Sequence, residues 1–370
     1  MRSATARIVV AVVVALGCAA SPVLARPAGP GPAASAGARS EVRTAASEST
    51  PHGRLPDGVA ALLAQLDTAS WRRLTVQHNG RRKPMDTFAR EQVRGLLGTE
   101  SYARQDPLAL YLWMLFARDQ AAHVDMVRVR NLKLLELLGL DRRSPYTSFA
   151  AIADNEAFAR ERDRLHRMAA GMVLGPNQSA IVRLGNRAWL FEHLEDELRM
   201  VPPPADAGDD RWLPVFATHG VQHAPALAAL WSETATLRNR VAEAFEARDA
   251  TAANEALRQL AQRVAAVQGA AAMPASLAAA EVWMNRFHPL GWAWKLLAVA
   301  ALAFGASLLG YRRGWYPVAV GALVLGTLLA AGGLAVRTAI VRRAPVANIY
   351  EAVVFATFAS VVVGSIFELR

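Results

Sequence analysis

Beyond residue 290 the chain is almost uniformly apolar, and this limits what it can fold into more than any other feature. Leu296 to Tyr311 holds sixteen residues without a charge, Tyr316 to Val336 holds twenty-one, and Ala352 to Phe367, extended back toward Ala344, forms a third run. Runs of about twenty apolar residues match the hydrocarbon thickness of a bilayer, where every backbone polar group must be bonded within its own segment. The pattern predicts three transmembrane helices, at about 296–311, 316–336 and 349–367. Trp292, Trp294 and Lys295 supply an aromatic and snorkelling anchor at one interface.

This run explains why the 370 residues are 53% hydrophobic and only 19% charged, a balance that residues 50–290 do not share. The net charge of +10 comes from 41 Lys and Arg spread along the chain. No basic stripe, zinc-finger spacing or RNP-like aromatic run accompanies them, so nucleic acid is not expected as a partner. Membrane lipid or an acidic ligand suits the charge better.

At the other end, Arg2 and Arg7 precede the apolar run Ile8 to Leu16, and Val23-Leu24-Ala25 gives the small-residue spacing of a signal peptidase site. A signal peptide over 1–25 is expected, with lipidation at Cys18 or retention as an anchor as the alternatives. Cys18 is the single cysteine, so a mature chain cleaved after Ala25 has no thiol for a disulfide or a redox pair. Residues 26–54, rich in Pro, Gly, Ala and Ser, predict a disordered linker.

Residues 55–290 predict a helical extracytoplasmic domain with a short β-hairpin. Val59, Leu62, Leu63 and Leu66 recur at helical spacing. Leu74 to Gln77 and Arg81 to Pro84 flank His78-Asn79-Gly80, and Asn-Gly supplies the positive φ angles of a tight turn. Asp86 or Thr87 is expected to cap a helix to Leu97, and Asp106-Pro107 to open one to Phe116. Further helices are expected over 155–172, 187–200, 225–247 and 251–268, with a short strand at 124–129. The fold class is therefore mostly α: this domain, then a three-helix transmembrane segment.

Enzyme chemistry leaves no signature: there is no Gly-x-Ser-x-Gly, phosphate loop or His-Glu-x-x-His. His219 and His223 stand four apart, but Gly220 weakens a helix there and no third ligand is near. His193, beside Glu192 and Glu195 to Glu197, reads as part of a solvated helix face. No catalytic or metal residue is assigned. With the leader placing 26–290 outside, the loop from Arg337 to Asn348 returns to the outer face, so Arg337, Arg342 and Arg343 oppose the positive-inside bias. They suit headgroups or a dicarboxylate ligand.

Pro345-Val346-Ala347-Asn348-Ile349-Tyr350-Glu351, opening a transmembrane helix after an outer loop, resembles the CcsA (ResC) family, the heme-handling membrane subunit of system II cytochrome c synthetases. Val76 to Thr87 is similar to the Asn-Gly-Arg-x-x-Pro-x-Asp-Thr signature ahead of CcsA in large fused forms. Glu281 to Pro289 resembles the element leading into the first span there. The three markers occur in the same order and cover most of 74–370. The resemblance implies a membrane component of cytochrome c maturation in the bacterial inner membrane, with 26–290 in the periplasm, and a ResB-like subunit and apocytochrome c as partners. Heme is the implied cofactor, with Arg337, Arg342, Arg343, Asn348, Tyr350, Glu351 and His288 as candidate contacts. The family's Trp-rich loop and its heme-ligating histidines should lie beyond the third span, so a partial CcsA-like subunit is expected, without catalysis of its own. The alternative is a membrane-anchored scaffold that recruits partners without handling heme.

Overall fold

The computed structural model describes residues 54–168, 173–204, 208, 210–216, 227–341 and 349–369. The leader, the linker up to His52 and Gly53, His219, His223, Arg342, Arg343 and Asn348 lie outside the described residues. Among the described residues the chain is mostly helical, with short two-stranded sheets. It divides into two compact units, one over Glu48–Val282 and one that includes Trp283–Arg370.

The first unit opens with α1 (Asp57–Gln65) and the single turn α2 (Ala69–Arg72). β1 (Thr75–His78) and β2 (Arg81–Pro84) then pair antiparallel, Thr75 opposite Pro84 and His78 opposite Arg81. Asn79 at φ 53° and Gly80 at φ 71° make the predicted tight turn, whose left-handed residues match the twist of the flanking strands. In α3 (Met85–Leu97), Met85, Phe88, Ala89, Gln92, Val93, Leu96 and Leu97 recur every three or four residues and bury one face. Gly98, left-handed at φ 79°, ends that helix.

α4 (Pro107–Phe116) is buried on all sides. It begins where predicted: Asp106 accepts a hydrogen bond from the Leu108 N–H, and Pro107 occupies the first turn, where its missing N–H costs nothing. A helix apolar all round must be surrounded. Phe88 meets Tyr111 edge-on at 5.5 Å, and Phe116 packs with Trp71, Phe216 and Phe245 at 6.3, 5.8 and 6.2 Å. Each such side chain contributes roughly 1.5–3 kcal/mol on burial.

Next come α5 (Arg118–Ala122), β3 (Val127–Arg128), α6 (Leu132–Leu138), β4 (Tyr146–Thr147), α7 (Phe149–Ala153), α8 (Glu156–His166) and α9 (Pro176–Glu192). β3 pairs with β4, so the strand expected at 124–129 is present but only two residues long. β5 (Arg199–Val201) pairs with β6 (Leu213–Pro214). This corrects the helix expected over 187–200: Arg187 sits inside α9, and the chain turns at 193–197 so that Met200 and Val201 enter the core as a strand. The strand β6 and the buried Gln268 take those backbone groups instead. Gln268 Nε2 donates to the carbonyls of Thr75 (2.7 Å) and Met200 (3.1 Å), and its Oε1 accepts from the Thr75 N–H (3.1 Å). A 2% exposed amide with all these bonds stitches β1, β5 and a helix together. That helix is α11 (Ala250–Gln268), paired with α10 (Ala228–Glu246); α12 (Ala275–Phe287) contains the division between the units.

In the second unit, α13 (Pro289–Ala306) and α14 (Arg312–Val341) are joined by a π-turn over Ser307–Tyr311, where Gly310 at φ 103° permits the reversal. The helices run antiparallel: a Cβ on Gly326 would lie 3.2 Å from Leu296, and one on Gly333 would lie 3.0 Å from Leu290. Ala293 and Ala300 on one helix, and Ala319, Gly326 and Gly333 on the other, repeat every seven residues along this seam. Small residues at a seven-residue repeat let two backbones approach closely, the main source of helix association in lipid. Pro289–Gly310 and Arg313–Ile340, of 22 and 28 residues, are long and apolar enough to cross a membrane. The predicted bounds 296–311 and 316–336 were too short, because Pro289 opens the first helix and Pro317 is tolerated near the start of the second. The stretch predicted as a third span forms the helix α15 (Ile349–Leu369), whose apolar part, Phe355–Gly364, is shorter than the two helices long enough to cross a membrane.

Candidate functional site

The first sequence marker, residues 76–87, folds as the hairpin and the start of α3, and its charged residues gather acids and bases from distant parts of the first unit. Arg81 Nη2 bonds Glu281 Oε1 at 2.5 Å, and the Thr87 hydroxyl donates to the same oxygen at 2.9 Å. Glu281, on α12, is only 5% exposed, and it belongs to the second marker, 281–289. Two markers some two hundred residues apart thus meet at one carboxylate. Arg81 Nε and Glu281 Oε2 remain without partners, so the guanidinium engages the carboxylate through one arm of its fork.

On the other side of the hairpin, Lys83 Nζ bonds Glu91 Oε2 at 2.5 Å and approaches His78 Nδ1 at 3.3 Å. The His78 ring stands between two carboxylates, with Nδ1 3.7 Å from Glu91 Oε2 and Nε2 3.6 Å from Glu197 Oε2. Phe88 lies edge-on to the imidazole at 5.3 Å. Burial pushes the Glu91 carboxyl upward, but hydrogen bonds from His78 and Lys83 outweigh it and hold Glu91 below the usual carboxylate value.

Asp86 or Thr87 was expected to cap α3. Instead Pro84 precedes the helix and no side chain caps it. Asp86, 1% exposed, takes Arg72 at 2.6 Å and Arg90 at 3.0 Å, and Arg72 also bonds Asp106. A carboxylate placed between two guanidinium groups is worth more inside the fold than at a cap, which also explains why the helix start is left to Pro84. The node is therefore a set of paired charges around a hairpin. Within it the Thr87 hydroxyl donates to Glu281, and among the described residues no three metal-ligating side chains cluster.

The predicted contact residues fall elsewhere. His288 is exposed and left-handed at φ 48°, linking α12 to α13, with its backbone N–H bonded to Met284 O at 3.0 Å and its carbonyl accepting from Trp292. A non-glycine residue spends energy to hold that conformation, and here it sets where α13 begins. Arg337 is half-buried near the end of α14 and engaged within the fold. Tyr350 and Glu351 occupy the first turn of α15. Arg342, Arg343 and Asn348 lie outside the described residues, so only His288, Arg337, Tyr350 and Glu351 can be placed. Axial ligation of heme needs one or two convergent nitrogen or sulfur donors. His288 is the single histidine among the predicted contacts, and it is exposed.

Sequence reasoning missed that Glu281 belongs with Arg81 and Thr87. The available signal was a lone carboxylate following the alanine run Ala278-Ala279-Ala280, an unusual place for a charge without a partner. No protein-family model matches the chain, and no curated protein matches it.

Proposed function

We propose that this chain is a membrane component of cytochrome c maturation of the system II type, a CcsA-like subunit acting with a ResB-like subunit and apocytochrome c. The observation that carries the reading is the convergence of Arg81 and Thr87 from one marker on Glu281 from another. Three short resemblances in a shared order could arise separately, but residues that also contact one another form one unit. Under this reading α15 is a third span, residues 26–290 are periplasmic, and the protein is multi-pass in the bacterial inner membrane.

Heme is the cofactor this role implies, and when bound to the complete complex it supplies the group that is attached to apocytochrome. In this role the chain's own part is to hold and orient it. Arg337, Arg342 and Arg343 are the groups suited to propionates, and Asn348, Tyr350 and Glu351 to the outer start of α15.

The test uses a host whose c-type cytochromes depend on the complete complex. Asn348→Ala, Tyr350→Phe, Glu351→Gln and Arg81→Gln should each lower heme-stained cytochrome c at unchanged protein abundance. Normal cytochrome yield in all four would end this reading. Loss in Arg81→Gln alone would favour the scaffold, because that residue acts only through the first unit.

A further inference from the structure

Several arginines of the first unit face an acid: Arg72 and Arg90 share Asp86, Arg94 takes Glu100, Arg238 takes Glu195 and Arg263 takes Glu233. Arg130, Arg183 and Arg187 differ. No carboxylate among the described residues pairs with any of them, and they lie on neighbouring elements. Arg183 and Arg187 stand one turn apart on α9 and so share a face. Arg130 immediately precedes the α6 N-cap Asn131, whose Nδ2 donates to Asn177 Oδ1 at 2.9 Å in the first turn of α9. That bond draws the loop carrying Arg130 to the helix carrying the other two.

The Arg187 guanidinium lies over Gly98 at the C-terminal end of α3, with Nη2 3.2 Å from where a Cβ would stand. The helix end contributes about half a negative charge, far less than three guanidinium groups. Burial, then the positive charges of Arg183 and Arg130, push Arg187 below the ordinary arginine value. Arg187 is half-buried while Arg130 and Arg183 are exposed, which leaves an open approach from solvent.

We propose that Arg130, Arg183 and Arg187 form a binding site for a phosphate-class oxyanion. A guanidinium presents paired N–H groups in one plane, so three of them from two elements match the several oxygens of a doubly charged tetrahedral anion better than a single carboxylate. The same chemistry is carried by free phosphate compounds and by the phosphate of a lipid headgroup. The site stands independently of any role in cytochrome assembly.

The full chain in non-ionic detergent at low ionic strength is titrated with inorganic phosphate, and separately with a short-chain phosphatidic acid below its micellar concentration. Saturable binding is expected, weakened about tenfold or more by Arg183→Gln and by Arg187→Gln. Arg258→Gln, which removes the same charge from an exposed pair with Glu255, should leave it unchanged. Tighter binding of the phosphatidic acid assigns the site to lipid, and equal or weaker binding assigns it to free phosphate compounds. Absence of saturable binding of both ligands, or equal loss in Arg258→Gln, overturns the proposal. Without anion, Arg183→Gln should leave the thermal midpoint unchanged or raise it, because it removes like-charge repulsion. A lower midpoint would make the trio a structural feature and also overturn the proposal.

Discussion

The two units solve opposite packing problems with the same twenty side chains. In the first, large residues such as Phe88, Leu110, Trp113 and Phe245 are fully buried and small or charged ones face outward. In the second the order is inverted. Ala293, Ala300, Ala319 and Gly333 fill the seam between α13 and α14, while Leu302 and Leu309 are 76% and 81% exposed. Water drives large apolar groups together in the first unit. Lipid offers no such drive, so close backbone approach must hold the helix pair instead. Polar ties separate the units too: the first is cross-linked by Gln268, Asp86 and Glu281, whereas along α13 and α14 Ser307, Thr327 and Thr338 bond carbonyls of their own helices.

The largest effect that sharpens this contrast should come from truncating large residues. Phe88→Ala should cost about 3–5 kcal/mol in chemical unfolding of the first unit. Leu309→Ala, in the same chain in detergent, should cost close to nothing. A comparable loss from Leu309→Ala would show that the second unit buries its large side chains after all.

Removing the central carboxylate comes next. Asp86→Ala leaves Arg72 and Arg90 facing each other in a half-buried setting, with an expected cost of about 3 kcal/mol, the lower end for breaking a buried pair. Equal stability of wild type and variant in urea would mean that the node carries no energy.

The seam should respond more modestly and with single-residue resolution. Gly333→Val forces a branched side chain toward Leu290 and Pro289, and should loosen the helix pair by about 1–3 kcal/mol. Gly332→Val, the adjacent position with open space around it, is the matched control and should be tolerated. Cysteine cross-linking between the helices reads both, and equal behaviour would remove the seam as an explanation.

At the hairpin, Gly80→Ala places a Cβ at φ 71° and should cost about 1–2 kcal/mol. The smallest effect is the pH dependence of Glu91. Its folded-state affinity for protons is below that of the unfolded chain, so the stability it contributes is complete above the ordinary carboxylate value. That contribution disappears as pH falls through the lower folded value. Glu91→Gln should therefore flatten the acid limb of a stability profile below about pH 4.5 and leave the neutral region parallel to wild type. An unchanged acid limb would show that Lys83 and His78 do not hold the carboxylate.

How far the sequence could be read followed the range of the interactions involved. The Asn79-Gly80 turn and the Asp106-Pro107 helix start are fixed by residues within three positions of each other, and both were legible. Asp86 was misread because its acid side chain in the first turn of a helix looks like a cap. Its partner Arg72 is fourteen residues away across a strand pair. The break in the helix expected at 187–200 was hidden for the same reason, since Gln268 supplies the hydrogen bonds that favour a strand.

The sequence by itself determined the apolar runs that can cross a membrane, the amphipathic helices of the first unit and the hairpin, because periodicity, caps and turn residues act locally. Only the tertiary structure decided that Arg81 and Thr87 share Glu281, that His78 lies between Lys83 and Glu197, and that the loop carrying Arg130 is bonded to the helix carrying Arg183 and Arg187. A charge chooses its partner by distance in space, and no spacing along the chain records which residues two hundred positions apart will be brought within 3 Å.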